Sequence, residues 1–114
     1  MGAYFRLQNL QSQWCMYSNS DGRFSHSSCG TYVDQYWYLE VTHSSNQNYY
    51  RIKNKESGEC VFLDSDERFG VYDCDTYDDQ YWTFEAKSGD PNYFRIKNYQ
   101  SRYMLYFQYI YNLL

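Results

Sequence analysis

Tyr49-Tyr50-Arg51-Ile52-Lys53-Asn54 stands near the middle of the chain, and near-copies flank it on both sides. Tyr4-Phe5-Arg6-Leu7-Gln8-Asn9 lies 45 positions earlier, and Tyr93-Phe94-Arg95-Ile96-Lys97-Asn98 lies 44 positions later. A second string, Asp34-Gln35-Tyr36-Trp37, returns as Asp79-Gln80-Tyr81-Trp82 at the same interval of 45. Between these anchors the first two units align without a gap: Ser12 meets Ser57, Cys15 meets Cys60, Asp21 meets Asp66, Cys29 meets Cys74, and Thr31-Tyr32 meet Thr76-Tyr77. Self-similarity at a fixed period marks a repeat architecture, and it outranks any local reading of helix or strand.

Within each unit the pattern is that of short strands. Alternation puts Tyr50 and Ile52 on one face and Arg51 and Lys53 on the other, and likewise pairs Trp82 with Phe84 and Trp37 with Leu39. In the second unit four strands are expected, near 49–54, 60–64, 69–74 and 80–86, separated by turns such as Lys55-Glu56-Ser57-Gly58 and Ser65-Asp66-Glu67. No stretch keeps a helical period, so no helix is expected. With 23% aromatic residues, among them 16 Tyr, and only one Pro, the composition suits pleated, half-buried surfaces.

The same composition excludes several functions. Ten Lys and Arg against 14 Asp and Glu, a formal charge of −4, leave no basic stripe for nucleic acid or for anionic lipid. No apolar run reaches the roughly 18 residues that a spanning helix needs. Met1-Gly2 lacks the Ser or Thr at position six of a myristoylation signal, where Arg6 stands. Catalytic patterns are also missing: His26 and His43 have no repeat partner, and there is no Gly-x-Ser-x-Gly, phosphate loop or metal box. A non-enzyme without cofactor or metal is expected.

Units of four strands and about 45 residues have the dimensions of a β-trefoil, so one all-β domain over 1–114 is expected, with repeats at 4–48, 49–92 and 93–114. The third repeat is cut short. Its alignment ends before a third cysteine pair or a third Gln-x-Trp, leaving about ten of twelve strands encoded. An open barrel edge is unfavourable in water. The apolar stretch Tyr103 to Leu114 is therefore expected to be buried. Either its part after Gln108 runs as a strand beside Tyr4–Asn9, or a second copy covers the gap in a homodimer.

Gln35-Tyr36-Trp37 and Gln80-Tyr81-Trp82, in register with Cys15…Cys29 and Cys60…Cys74, resemble the ricin-B-like (R-type) lectins, whose repeats carry Gln-x-Trp and often an internal disulfide. The resemblance implies a non-catalytic carbohydrate-binding protein whose partners are glycans or glycoproteins. Four cysteines allow three pairings, and equivalence of the repeats selects Cys15–Cys29 and Cys60–Cys74. The bridges imply a secreted protein; reduced, buried thiols in a cytosolic one are the alternative.

R-type repeats that bind sugar supply an acid after the second strand's cysteine, an aromatic near the third strand, and an Asn or Asp beside the Gln of Gln-x-Trp. In the second unit these fall to Asp64, Tyr72 and Asp79, with Gln80 bracing the loop. The family's acid stands two residues after the cysteine, where this chain has Phe62, so Asp64 departs from the pattern. The first unit offers Asn19, Asp34 and Gln35 but has Ser27 at the aromatic position, leaving Tyr17 or His26 to substitute. Asp34 and Asp79 have a second reading as turn caps, and Asp21 and Asp66 as hairpin turns. Phe5, Leu7, Trp37, Leu39, Tyr50, Ile52, Trp82, Phe84, Phe94 and Ile96 are expected to line one core. Two other functions fit the composition: an inhibitory or protein-interaction trefoil, and a self-assembling Tyr-rich protein.

Overall fold

The computed structural model describes residues 4–9, 12–18, 22, 24–64, 66, 68–87, 90–101 and 104–111. It is all-β. The first unit holds β1 (Phe5–Asn9), β2 (Cys15–Ser18), β3 (Phe24–Ser27) and β4 (Trp37–Thr42). The second holds β5 (Tyr50–Asn54), β6 (Glu59–Leu63), β7 (Phe69–Asp73) and β8 (Tyr81–Lys87), and β9 (Asp90–Asn98) and β10 (Met104–Tyr111) follow. The helical backbone of the described residues is limited to two three-residue 3-10 turns, Val33–Gln35 and Asp78–Gln80, at repeat-related positions.

Six strands pair in a closed circuit: β1 with β4, β4 with β5, β5 with β8, β8 with β9, β9 with β10, and β10 with β1. Two hairpins, β2–β3 and β6–β7, hang from it. They meet where the Val71 amide donates to the Gly22 carbonyl at 3.0 Å. The gap beside β1 is filled by β10, which pairs antiparallel from Phe5↔Tyr111 to Asn9↔Phe107 and, with its first half, along β9. One strand thus covers two edges. The chain closes its own barrel with the residues expected to do so, and pairing begins at Phe107.

The core forms from the inward alternation. Phe5, Leu7, Trp37, Ile52, Trp82 and Ile96 are buried, with Leu39 and Phe84 packed against them. Met16, Val61, Leu63 and Val71 of the hairpins complete the cluster. Tyr50 is a correction. It is half-buried and outside the cluster, because the β4–β5 ladder breaks register between Leu39 and Thr42, at its rim. The side chain of Phe94 lies outside the described residues. On the outer face the repeated Arg-x-Lys meets a repeated glutamate: Lys53 Nζ lies 3.0 Å from Glu40 Oε2 and Arg95 Nε 2.7 Å from Glu85 Oε1.

Buried amides carry the loops. Asn54 Nδ2 donates to the Asp34 carbonyl at 2.8 Å, while its Oδ1 accepts from the amides of Glu56 and Ser57. Asn98 repeats the device on the Asp79 carbonyl at 2.9 Å. The indole N–H groups of the repeat-related Trp37 and Trp82 donate inward, to the carbonyls of Met16 and Val61. Disulfides join Cys15 to Cys29 and Cys60 to Cys74, with Cα–Cα distances of 4.9 and 5.1 Å.

Candidate functional site

The segment between Cys74 and β8 must turn sharply to deliver Trp82 to the core, and Gln80 supplies the bonds that hold it. Its buried side chain accepts from the Asp75 amide and donates to the Asp73 carbonyl, both at 2.8 Å. The Gln80 amide closes the turn on the Tyr77 carbonyl at 3.0 Å. Beneath the turn, Asn98 grips the Asp79 carbonyl, so backbone on both sides of the Asp79 side chain is fixed.

In front of this turn lies a cleft of about 350 Å³ lined by Phe62, Tyr72, Tyr77, Asp79 and Gln80. Tyr72 and Tyr77 are 58% and 55% exposed. The rings of Phe62 and Tyr72 meet edge to face, with centroids 6.5 Å apart. Phe62 lies over Gly70, where an added Cβ would come within 2.7 Å of its ring, so the missing side chain seats one wall of the cleft. Burial raises the Asp79 carboxyl above its ordinary pKa and the neighbouring Asp78 charge adds to this, opposed by a bond to its own backbone. A half-desolvated carboxylate accepts hydrogen bonds strongly, and exposed phenol rings offer apolar faces and hydroxyls beside it.

Three expected site residues, Tyr72, Asp79 and Gln80, therefore share one cleft, Gln80 as scaffold with both ends of its amide engaged. Asp64 is elsewhere. Its Oδ1 accepts from the amides of Asp66 and Arg68 at 2.8 and 2.9 Å, because the turn between β6 and β7 leaves those donors without a strand partner. Phe62 stands in the cleft at the position where the family pattern asks for an acid. Neither Phe62 nor Tyr77 was expected in the site. Their signals were the spacing from Cys60 and the repeated Thr-Tyr.

The first unit repeats the scaffold, but Ser27 stands where the second unit has Tyr72. Gln35 accepts from the Gly30 amide and donates to the Ser28 carbonyl and the Ser27 hydroxyl. Asp34 sits on the matching turn, its carbonyl held by Asn54. Ser27, in the place of Tyr72, is thus occupied by the scaffold. Tyr32 lies over Gly30, where a Cβ would come within 2.7 Å of the ring. His26, the possible substitute, packs against Trp14 with ring centroids 5.0 Å apart. Asn19 lies outside the described residues. Glu40, Cys60 and Cys74 bring potential metal-ligating atoms within 4.8 Å of one another, but the sulfurs are joined in a disulfide and offer no thiolate.

Two disulfide-tied hairpins on a six-strand circuit, each followed by a Gln-x-Trp turn that delivers a buried Trp to the core, define the class as a β-trefoil. The family model for ricin-type beta-trefoil lectin domain-like proteins matches residues 33–108, and the chain belongs to that family. Solved structures share the fold. The BEL beta-trefoil is 23% identical at TM-score 0.82, covering 97% of this chain and 94% of that one. SeviL bound to asialo-GM1 saccharide is 18% identical at TM-score 0.72, covering 98% and 88%. In the hemolytic lectin CEL-III, 24% identical at TM-score 0.70, 97% of this chain matches 27% of the larger protein. No curated protein sequence matches the chain. The family is one of lectin-like domains, and two disulfides fit an extracellular protein.

Proposed function

We propose that the chain is a lectin that binds glycans through the cleft of its second unit. The observation that carries this is the grouping of two exposed Tyr rings and a half-buried carboxylate on a braced turn. Tyr72 stacks on the apolar face of a pyranose, and Asp79 accepts from its hydroxyls. Tyr77 and Phe62 form the side walls, while Gln80 holds the turn. The first unit, with Ser27 against its Gln and no ring in that place, contributes little. A shallow single site of this kind gains its strength from multivalent glycans.

The test is a glycan array probed with the wild type, Tyr72→Ala and Asp79→Ala, followed by titration with the asialo-GM1 saccharide, the sugar bound in SeviL. Glycan binding by the wild type that both substitutions abolish supports the reading. An array with no signal, or one that both variants retain, refutes it and favours the protein-interaction alternative.

A further inference from the structure

One pair beside the cleft joins two repeats and has no repeat-related counterpart in the sequence. His43 follows β4 and is 8% exposed, and its Nε2 lies 2.8 Å from Oδ1 of Asp78, the first residue of the turn that carries Asp79. Its Nδ1 accepts from the Ser45 amide at 3.0 Å, which leaves the ring proton on Nε2, pointing at Asp78. The ring stacks on Tyr99 with centroids 4.1 Å apart and an interplanar angle of 18°. Tyr81 meets it edge-on at 4.8 Å, and Tyr49 packs edge-on against Tyr99 at 5.0 Å. Both nitrogens and one face are engaged, so His43 is a fixed donor.

The Asp78–Gln80 turn starts without a side-chain cap of its own. Tyr77, its N-cap, makes no side-chain capping bond, and the Asp78 side chain is 54% exposed. In the first unit the residue in the place of Asp78 is Val33, 44% exposed, which has no polar group to be held. The unit that lacks the cleft's ring therefore also lacks the clamp.

We infer that His43 and Asp78 form a positioning pair by which the first unit orients Asp79 in the second unit's cleft. The inference rests on the glycan-binding reading of that cleft. The Asp78–Gln80 turn is held at its start by His43 of the first unit and at Asp79 by Asn98, beyond the second. The hydrogen bond, rather than the charge of Asp78, does the positioning.

Asp78→Asn and Asp78→Ala separate the two. Both remove the charge, but only Asn keeps an acceptor for His43, and the exposed position makes either change compatible with folding. His43→Phe, which keeps the ring on Tyr99, cuts the bond from the other side. Titration with the asialo-GM1 saccharide at pH 8 should find Asp78→Asn within about twofold of wild type and both Asp78→Ala and His43→Phe weaker by roughly five- to tenfold, the worth of one lost hydrogen bond. Carbon-13 NMR titration of the Asp79 carboxyl, which needs no sugar, should show Asp78→Ala titrating lower than Asp78→Asn, because the freed turn lets water reach Asp79. Equal Asp79 titrations in the two Asp78 variants would overturn the pair, whether or not sugar binds. A wild type that binds no glycan, with the Asp79 difference intact, would instead count against the glycan-binding reading alone.

Discussion

Trp82 and Asp79 stand three residues apart and are governed by opposite physics. Trp82 is fully buried, with its N–H spent on the Val61 carbonyl, so Trp82→Ala removes both a large apolar volume and that bond. A loss of about 3–5 kcal/mol is expected by chemical denaturation. Asp79 is held partly out of water, and its folded pKa is raised by burial and by Asp78. The folded state therefore binds the proton more tightly than the unfolded chain. This favours folding below the unfolded carboxyl's pKa, and the advantage is lost as pH rises through the folded one. Asp79→Asn should then hold or raise the melting temperature at neutral pH while eliminating sugar binding, and wild-type affinity should fall at a higher pH than an ordinary carboxylate would dictate. A melting temperature that drops sharply in Asp79→Asn would make the residue a structural cap. Periodicity exposed Trp82, Gln80 and Asp79 because each has a repeat partner. It hid His43 for the same reason: a residue without a partner looked unimportant, yet it contacts the turn from another unit.

Among elements, the turns diverge more than the strands. Gly58 and Gln13 occupy the same place after β5 and β1, and both have positive φ, 71° and 65°. Glycine adopts that conformation freely, whereas Gln13 bears a Cβ in it. Gln13→Gly should stabilise the chain by up to about 1 kcal/mol, less what the unfolded state gains in freedom, and the shift in denaturation midpoint measures it. Loss of stability would mean that the Gln13 side chain holds the turn. The strands themselves were legible from alternation, including the Arg-x-Lys of the outer face. Asp64 was misplaced because an acid after a strand reads alike as ligand or as turn cap, and only the free amides of Asp66 and Arg68 decide between them.

At the scale of the whole molecule, closure is the feature that follows least from the repeat. A repeating pattern implies twelve strands; the described residues hold ten, and six of them close the circuit because β10 serves both β9 and β1. The apolar run was expected to be buried, and its side chains lie outside the described residues; its register could not be read, since register depends on which edge the barrel leaves open. Truncation after Gln108 removes the pairings of Leu7, Arg6 and Phe5 with Tyr109, Ile110 and Tyr111. The shortened chain should unfold at lower denaturant and self-associate on sizing chromatography through its exposed β1 edge. One that stays monomeric and equally stable would show that β10 closes nothing.

The most direct test of the molecule's function is a map of where a glycan sits. In a proton–nitrogen NMR titration with the tightest glycan from the array, the shifts should be confined to Phe62, Tyr72, Tyr77, Asp79 and the turn beneath them, and the first unit's Asp34 turn should stay silent. Shifts centred on the Trp14–His26 hairpin or spread along the outer strands, with the second unit's cleft unmoved, would contradict the account.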